Sequence, residues 1–157
     1  MRKLILLISV NLFISAAIAQ VPAMNFDDLK PRLTTRSDSV YVVNFWATWC
    51  VPCVKELPEF EKINEVYSDR KVKVILVSLD NPRHMESRLL PFIREHNLRS
   101  EIILLDDPRS NRWIPMVDET WSGAIPATII FNRETRSFYE KVFTYEELEN
   151  IIEAKLN

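Results

Sequence analysis

Residues 40–53 read Val-Tyr-Val-Val-Asn-Phe-Trp-Ala-Thr-Trp-Cys-Val-Pro-Cys, and the rest of the chain is organised around this stretch. The β-branched and aromatic residues at its start predict a buried strand. The run 54–67, which follows the two cysteines, is amphipathic and predicts a helix. Cys50 is therefore placed at a helix N-terminus, where unpaired N–H groups and the helix dipole favour an anion. A thiol there is shifted toward the thiolate, which is the form that attacks disulfides.

The sequence around the two cysteines resembles that of thioredoxin-like proteins. Phe45-Trp-Ala-Thr-Trp-Cys-Val-Pro-Cys53 continues into Val-Lys-Glu-Leu-Pro-Glu-Phe, and this pattern is most similar to the extracytoplasmic thiol–disulfide oxidoreductases of the TlpA and ResA types. A second match, Gly123-Ala-Ile-Pro-Ala-Thr128, precedes a predicted strand and resembles the cis-proline loop of the same family. The resemblance spans residues 26–156.

The resemblance implies a substrate site beside the cysteines. In the family, the residue matching Pro126 is cis and faces the cysteine pair, where a substrate strand can pair with the backbone. Ile125 would then touch the active-site disulfide, and Trp49 is expected at the rim of the same groove. A cis X–Pro bond costs only about 0.5–1 kcal/mol, so a fold can fix it. The alternative is a trans proline at the start of a strand.

Cys50 is predicted to be the nucleophile of a dithiol–disulfide cycle, and Cys53 is predicted to resolve the mixed disulfide. Cys50 should lie nearer the surface, with Cys53 one helical turn further in. A structural disulfide is the alternative interpretation, but a bridge across two intervening residues removes little unfolded-chain entropy. The chain has no other cysteine, so a framework of structural disulfides is excluded.

Half of a zinc site is another interpretation of a Cys-x-x-Cys pair. Zinc takes about four ligands, and the chain offers only His84 and His96 in addition, twelve residues apart on a predicted helical segment. We therefore expect no metal and no cofactor, and both histidines at the surface. A peroxidase of the peroxiredoxin type shares the fold, but it needs Thr or Ser three residues before its reactive cysteine, and that position is Ala47.

Glu56 is the third candidate catalytic residue. It follows Cys53 by three residues, on the same helix face. In ResA-like proteins a glutamate at this spacing lies near the cysteines and affects their proton affinity. A carboxyl in apolar surroundings has a raised pKa and could shuttle a proton to Cys53 during resolution. The alternative is a solvated helix charge. Thioredoxin itself has a buried aspartate at the position of Asn44, and asparagine cannot titrate, which leaves Glu56 as the acid–base candidate.

The first residues predict a secretory signal, with residues 20–157 as the mature domain. Arg2 and Lys3 supply a charged start, residues 4–14 an apolar stretch, and Ala17-Ile-Ala19 a small-residue cleavage pattern. The alternative is an uncleaved anchor, although the apolar run is shorter than the ~20 residues that span a bilayer. Location in the periplasm or elsewhere outside the cytoplasm follows.

Length and composition restrict the fold and the partners. The 157 residues are enough for one domain with a core. The net charge of −2, with no run of like charge, excludes a nucleic-acid-binding patch. The chain has a single glycine, Gly123, so we expect its backbone position to require a positive φ.

The fold class follows from the order of elements together with the resemblance. We expect an α/β protein with a thioredoxin-like three-layer α/β/α sandwich and a mixed central sheet. Helices are predicted at 26–33 and, from a capping box at Thr144 and Glu147, up to 156. Strands are predicted at 72–79 and 101–105, with a hairpin of 127–131 and 138–143. Pro91 marks either a kink or the first turn of a separate helix.

The predicted function is exported thiol–disulfide exchange. The resemblance favours a reductase of disulfides in other extracytoplasmic proteins, for instance in cytochrome c maturation. Its partners would be protein thiols or disulfides and an upstream redox donor, and the protein would be a monomer. A disulfide-donating oxidase or isomerase of the same fold remains open, because direction depends on the redox potential. A redox-inert module that only binds partners is the alternative from another class.

Overall fold

The computed structural model describes residues 21–156, so the predicted signal segment lies outside the described residues. These residues form a six-stranded sheet with the spatial order β1-β4-β3-β2-β5-β6. The first four strands in that order run parallel, while β5 is antiparallel to β2 and to β6. The strands are β1 (Ala23–Met24), β2 (Val40–Trp46), β3 (Val72–Ser78), β4 (Glu101–Leu105), β5 (Ala127–Phe131) and β6 (Arg136–Tyr139).

Helices cover both faces of the sheet, as the predicted three-layer sandwich requires. They are α1 (Phe26–Leu33), α2 (Val51–Val66), α3 (Leu90–Glu95), α4 (Ser110–Val117) and α5 (Tyr145–Leu156). Side chains of α2, α3 and α5 pack with one set of strand residues. Side chains of α1 and α4 pack with the alternate set. Successive strand residues point to opposite faces, so two hydrophobic cores form. Within residues 21–156, no helix is long and apolar enough to cross a membrane.

Strand β2 lies at the centre of the sheet and leads directly to the cysteines. All seven of its residues are buried, as expected for a strand paired on both edges and covered on both faces. Val42 and Trp46 belong to the α2 side, while Val43 and Phe45 belong to the α1 side. The alternation places Asn44 on the α2 side, which determines its contacts with the site.

Several predicted elements match the structure closely. Helix α1 and strands β4 and β5 have the predicted bounds, and α5 ends at the predicted residue. The capping box is formed, since Thr144 N donates to Glu147 Oε2 at 3.0 Å and Glu147 N donates to Thr144 Oγ1 at 3.3 Å. Pro91 lies in the first turn of α3, which follows a single 3₁₀ turn and a π-helical turn over Met85–Leu89. Leu89 itself has helical φ and ψ, so the backbone is helical without a break from the π turn into α3, and Pro91 does not begin a separate helix.

The predicted second strand of the hairpin is wrong in its bounds. The strand β6 covers Arg136–Tyr139 instead of 138–143, because the side chain of Asn132 closes a tighter turn than predicted. Its Oδ1 accepts hydrogen bonds from the N–H groups of Glu134 and Thr135 at 2.9 and 2.8 Å. Residues 140–143 are left outside the sheet, and Phe143 contributes to the site described below. The prediction also missed β1, which is only two residues long.

Candidate active site

Cys50 is the N-cap of α2 and lies at the end of the loop that follows β2. Its Sγ accepts a hydrogen bond from Cys53 N at 3.3 Å, so the sulfur receives one of the free N–H groups of the first turn. Cys50 and Cys53 form a disulfide with their Cα atoms 5.3 Å apart. Cys50 is 6% exposed and Cys53 is fully buried. Of the two sulfur-bearing residues, Cys50 is thus the one that a partner can reach, as the sequence predicted.

The loop before β5 faces the cysteines and carries a cis peptide bond between Ile125 and Pro126, which confirms the predicted isomer. Antiparallel pairing of β5 with β2, with Ala127 opposite Phe45, brings this loop to the end of β2 where the cysteines lie. The carbonyl oxygen of Ile125 is 3.6 Å from Cys50 Sγ. The predicted contact between Ile125 and the disulfide is therefore confirmed.

Gly123 allows the backbone of this loop to turn toward Ile125 and Pro126. Its φ is 93°, in the left-handed region that side chains rarely adopt, as the sequence predicted. A Cβ at this position would lie 3.2 Å from Cδ1 of Ile114, so space is also restricted. One residue later, the carbonyl of Ala124 accepts a hydrogen bond from Trp121 Nε1 at 2.7 Å.

Exposed apolar side chains flank Cys50 on both sides in the sequence. Trp49 is 59% exposed and Val51 is 64% exposed, although both are large hydrophobic residues. The other three tryptophans are buried in the two cores: Trp46, Trp113 and Trp121. Of the four tryptophans, Trp49 alone has an exposed side chain, and its place at the rim of a substrate groove stays a prediction.

Glu56 is buried, with 1% of its surface exposed, so the interpretation as a solvated helix charge is wrong. Its Oε1 accepts from Asn44 Nδ2 at 2.9 Å, and its Oε2 accepts from Phe143 N at 2.7 Å. Burial raises the pKa of Glu56 to about 7, and these two hydrogen bonds oppose that rise. Among the residues that the structure describes, no cation forms an ion pair with Glu56.

Asn44 connects Glu56 to the sheet. Its Nδ2 also donates to Thr128 Oγ1 at 3.0 Å, and its Oδ1 is buried without a hydrogen-bond partner. The sequence indicates Asn44 as a neighbour of the site, but it does not indicate Thr128 or Phe143. The position of Thr128 opposite Asn44 depends on the register between β5 and β2. Phe143 was assigned to a strand, so its N–H was not expected to be free for a side chain.

A second buried carboxylate, which the sequence analysis also missed, lies beside the loop that carries Cys50. Asp80 is 3% exposed and follows β3. Its carboxylate accepts from Thr48 N at 3.0 Å, from Thr48 Oγ1 at 2.6 Å and from Ser78 Oγ at 2.8 Å. Parallel strands bring their C-terminal ends to one edge of a sheet, so an aspartate two residues after the end of β3 was the signal that could have indicated this contact.

The arrangement is suited to dithiol–disulfide chemistry. It combines a reachable sulfur at a helix N-terminus, a second sulfur one turn further in and a buried carboxyl group that titrates near neutral pH. Within residues 21–156, no three His, Cys, Asp or Glu side chains come together in a way that could hold a metal ion. His84 and His96 are both exposed.

Comparisons with known proteins point in the same direction. Residues 16–136 match the AhpC/TSA family. Sporulation thiol-disulfide oxidoreductase A of Bacillus subtilis is 33% identical over 63 residues, which are 40% of this chain and 38% of that protein. The thiol-disulfide oxidoreductase ResA of Geobacillus kaustophilus is 24% identical over 125 residues, which are 78% of this chain and 67% of the relative. The chain thus spans less than half the length of the first of these two relatives.

A solved structure supports the fold. The thiol:disulfide interchange protein of the thioredoxin family from Chlorobium tepidum superimposes with a TM-score of 0.64 at 15% identity, covering 76% of this chain and 81% of that one. At this identity the likeness concerns the fold alone. It confirms the predicted thioredoxin-like architecture.

Proposed function

Because this chain belongs to the AhpC/TSA family and has a thioredoxin-like fold, we propose that it is a thiol–disulfide oxidoreductase that acts through Cys50 and Cys53. The observation that carries the proposal is the position of Cys50: its sulfur accepts a helix N-terminal N–H and lies 3.6 Å from the carbonyl of Ile125. A structural disulfide would need neither the cis-proline loop beside it nor a titrating carboxyl group behind it.

The cycle transfers two electrons from this protein to a partner disulfide. The Cys50 thiolate attacks one partner sulfur, so that a mixed disulfide forms and the other partner sulfur leaves as a thiolate. The Cys53 thiolate then attacks the sulfur of Cys50, and the first partner sulfur leaves. The products are a reduced partner with two thiols and the Cys50–Cys53 disulfide. An upstream dithiol donor must reduce this disulfide before the next cycle.

Glu56 is proposed as the proton acceptor for Cys53. Cys53 must lose its proton before it can resolve the mixed disulfide, and both residues are buried on the same face of α2, three residues apart. A base works best when its pKa is near the working pH, and the pKa of Glu56 is raised to about 7.

The substrate is proposed to be an extended protein segment that contains a cysteine. Ile125 and Pro126 would pair with its backbone, because they lie directly before β5 and beside the reactive sulfur. Exposed Trp49 would cover the apolar side chains of the segment. These three residues are the proposed substrate-binding set.

Export and reducing direction are the remaining parts of the proposal. The pattern of residues 1–19 supports a signal peptide that takes the domain of residues 20–157 out of the cytoplasm. The proposed role is reduction of disulfides in other exported proteins, with cytochrome c maturation as one setting. The reduction potential tests the direction: a value near −270 mV, typical of thioredoxin, supports a reductase, and one near −120 mV, roughly that of DsbA, supports an oxidase.

A trapping experiment tests the exchange itself. Cys53→Ser should leave Cys50 joined to substrates, because the resolving sulfur is absent. Mixed disulfides recovered from an extracytoplasmic extract and released by dithiothreitol would support the proposal, and the matched control Cys50→Ser should recover none. If both variants co-purify with the same proteins without a disulfide link, the protein is a redox-inert binding module and the proposed function is wrong.

A further inference from the structure

Asp80 lies outside the cysteine motif but is bonded to the loop that carries it. Thr48 stands two residues before Cys50 and gives Asp80 two hydrogen bonds, one from its backbone and one from its hydroxyl. Ser78 Oγ also donates to the carboxylate, at 2.8 Å, and accepts a hydrogen bond from the N–H of Asp80 at 3.1 Å. The loop after β2 is thereby tied to the segment after β3 by two hydrogen bonds from Thr48, and Ser78 at the end of β3 donates a third to the same carboxylate.

The same loop is held at its two ends by backbone bonds. Leu79 N donates to Trp46 O at 2.8 Å, and Cys50 N donates to Ala47 O at 3.1 Å. The Asp80–Thr48 contact lies between these two bonds. If the side chain of Asp80 were removed, the middle of the turn would lose the only side-chain hydrogen bonds that connect it to the end of β3 among the described residues.

The charge of Asp80 is not balanced by a cation. Asp107, which follows the neighbouring strand β4 and is also buried, forms an ion pair with Arg109 at 2.9 Å. No ion pair to Asp80 is found among residues 21–156. Thr48, which is bonded to Asp80, stands two residues before Cys50, and a negative charge on that side of the turn opposes formation of the thiolate and leaves the disulfide unaffected.

We propose that Asp80 is a positioning residue for the exchange reaction: through Thr48 it fixes the turn that carries Cys50, and its charge disfavours the Cys50 thiolate. Both effects favour the disulfide over the dithiol. A turn held in place keeps the two sulfurs close together, and a disfavoured thiolate weakens the reduced form. Asp80 thus makes the couple a stronger reductant. The inference rests on the proposed function, since it explains the proposed direction of electron flow.

The reduction potential of Asp80→Asn tests the inference. Asparagine preserves the shape of the side chain and removes its charge. At equilibrium with dithiothreitol redox buffers, the variant should shift toward the dithiol about tenfold, which is about 30 mV toward less negative values. Asp107→Asn is the matched control, because it removes a buried carboxylate at the next strand end without touching the Cys50 loop. It should leave the potential unchanged.

A pair of variants at Thr48 separates positioning from general stability. Thr48→Val loses the hydroxyl bond but keeps the backbone bond, so the potential should move in the same direction by a smaller amount. Thr48→Ser retains both donors and should restore the wild-type potential. This pair also decides the matter if Asp80→Asn does not fold, because Thr48 is only half-buried.

The inference is overturned if Asp80→Asn has the wild-type potential, if Asp107→Asn shifts as far, or if Thr48→Val and Thr48→Ser are indistinguishable. These readouts do not require a protein substrate, since dithiothreitol reacts directly with the Cys50–Cys53 disulfide. Failure of the proposed function would appear separately, as an absence of mixed disulfides in the Cys53→Ser trap. The two failures are therefore distinguishable.

Discussion

Glu56 and Asp107 are both buried carboxyl residues, but they lie on opposite sides of the sheet and in opposite electrostatic surroundings. Glu56 lies on α2, three residues after Cys53, and within residues 21–156 its hydrogen-bond donors are two neutral N–H groups, those of Asn44 and Phe143. Asp107 follows β4, near the start of α1, and its carboxylate is bonded through both oxygens to the guanidinium of Arg109. Burial is common to both residues, and the cation is present at only one of them.

The difference decides the protonation of each group. Burial raises the pKa of Glu56 to about 7, because no cation within the part of the chain that the structure describes compensates for its lost hydration. The side-chain hydrogen bond from Arg109 holds the pKa of Asp107 well below its usual range, in spite of burial, which acts in the opposite direction. The arginine thus keeps the buried Asp107 charged, whereas the pKa of Glu56 is left near neutral pH, as its proposed role as a proton acceptor requires.

The largest expected effect is on the rate of exchange in Glu56→Gln. Glutamine cannot take the proton from Cys53, so resolution of a mixed disulfide should slow by about a hundredfold at pH 7. The inflection near pH 7 in the rate profile should also disappear. Stopped-flow release of thionitrobenzoate from the mixed disulfide of Cys50 with that thiol measures this step.

Two controls define how that rate is interpreted. Glu65→Gln changes an exposed carboxylate on the same helix and should exchange at the wild-type rate. Asp107→Asn should also do so, because its carboxylate is held by Arg109 away from the cysteines. If Glu56→Gln keeps the wild-type rate and inflection, Glu56 is not the proton acceptor.

The next effect concerns stability and pH. A carboxyl group whose pKa is higher in the folded than in the unfolded state binds more protons when folded, so its contribution is complete below pH 4.5 and is lost as the pH rises through about 7. The interval between the ordinary pKa of 4.5 and the folded-state pKa of about 7, at 1.4 kcal/mol per pH unit, corresponds to about 3 kcal/mol in the free energy of unfolding. Between pH 4 and pH 8, the free energy of unfolding of the wild-type protein, measured with urea, should therefore fall by about 3 kcal/mol relative to that of Glu56→Gln. Parallel curves for the two proteins would contradict the assignment.

Asp107→Asn should show the opposite dependence on pH. The pKa of Asp107 is lowered in the folded state, so its contribution to stability is present above the pKa of the unfolded state and is lost as the pH falls. The variant should unfold at lower urea than wild type at pH 7, and the two midpoints should converge in acid. If Asp107→Asn has the same urea midpoint as the wild-type protein at pH 7, the ion pair between Asp107 and Arg109 does not stabilise the fold.

Much of the candidate site, in contrast to the partners of its carboxyl groups, could be predicted from the sequence. The strand–cysteine–helix order gave Cys50 and Cys53 their positions, and the spacing of three residues placed Glu56 behind Cys53. The motif match at Ile125-Pro126 predicted the loop that faces the cysteines from the other side of the site. These predictions depend on a local pattern, or on a motif long enough to be specific.

The partners of the carboxyl groups depend on long-range pairing, which local patterns do not determine. Phe143 reaches Glu56 only because β6 ends at Tyr139, four residues earlier than predicted. Asp80 meets Thr48 only because β3 pairs with β2 in parallel, in the register that sets Ser78 beside Trp46. The choice between a buried and a solvated Glu56 likewise required knowing which helix face the sheet covers.

The smallest expected effect is a displacement of the Glu56 titration by Asn44→Leu. Leucine is similar in size and removes the donor to Oε1, and because this hydrogen bond favours the charged carboxylate, its loss should move the inflection of the exchange rate above pH 7. The displacement is limited, since Phe143 N still donates to Oε2 at 2.7 Å. Thr128→Val is the matched control, because it removes the other partner of Asn44 without touching Glu56. An inflection that moves below pH 7 in Asn44→Leu, or that moves equally in both variants, would mean that the Asn44 amide does not set the proton affinity of Glu56.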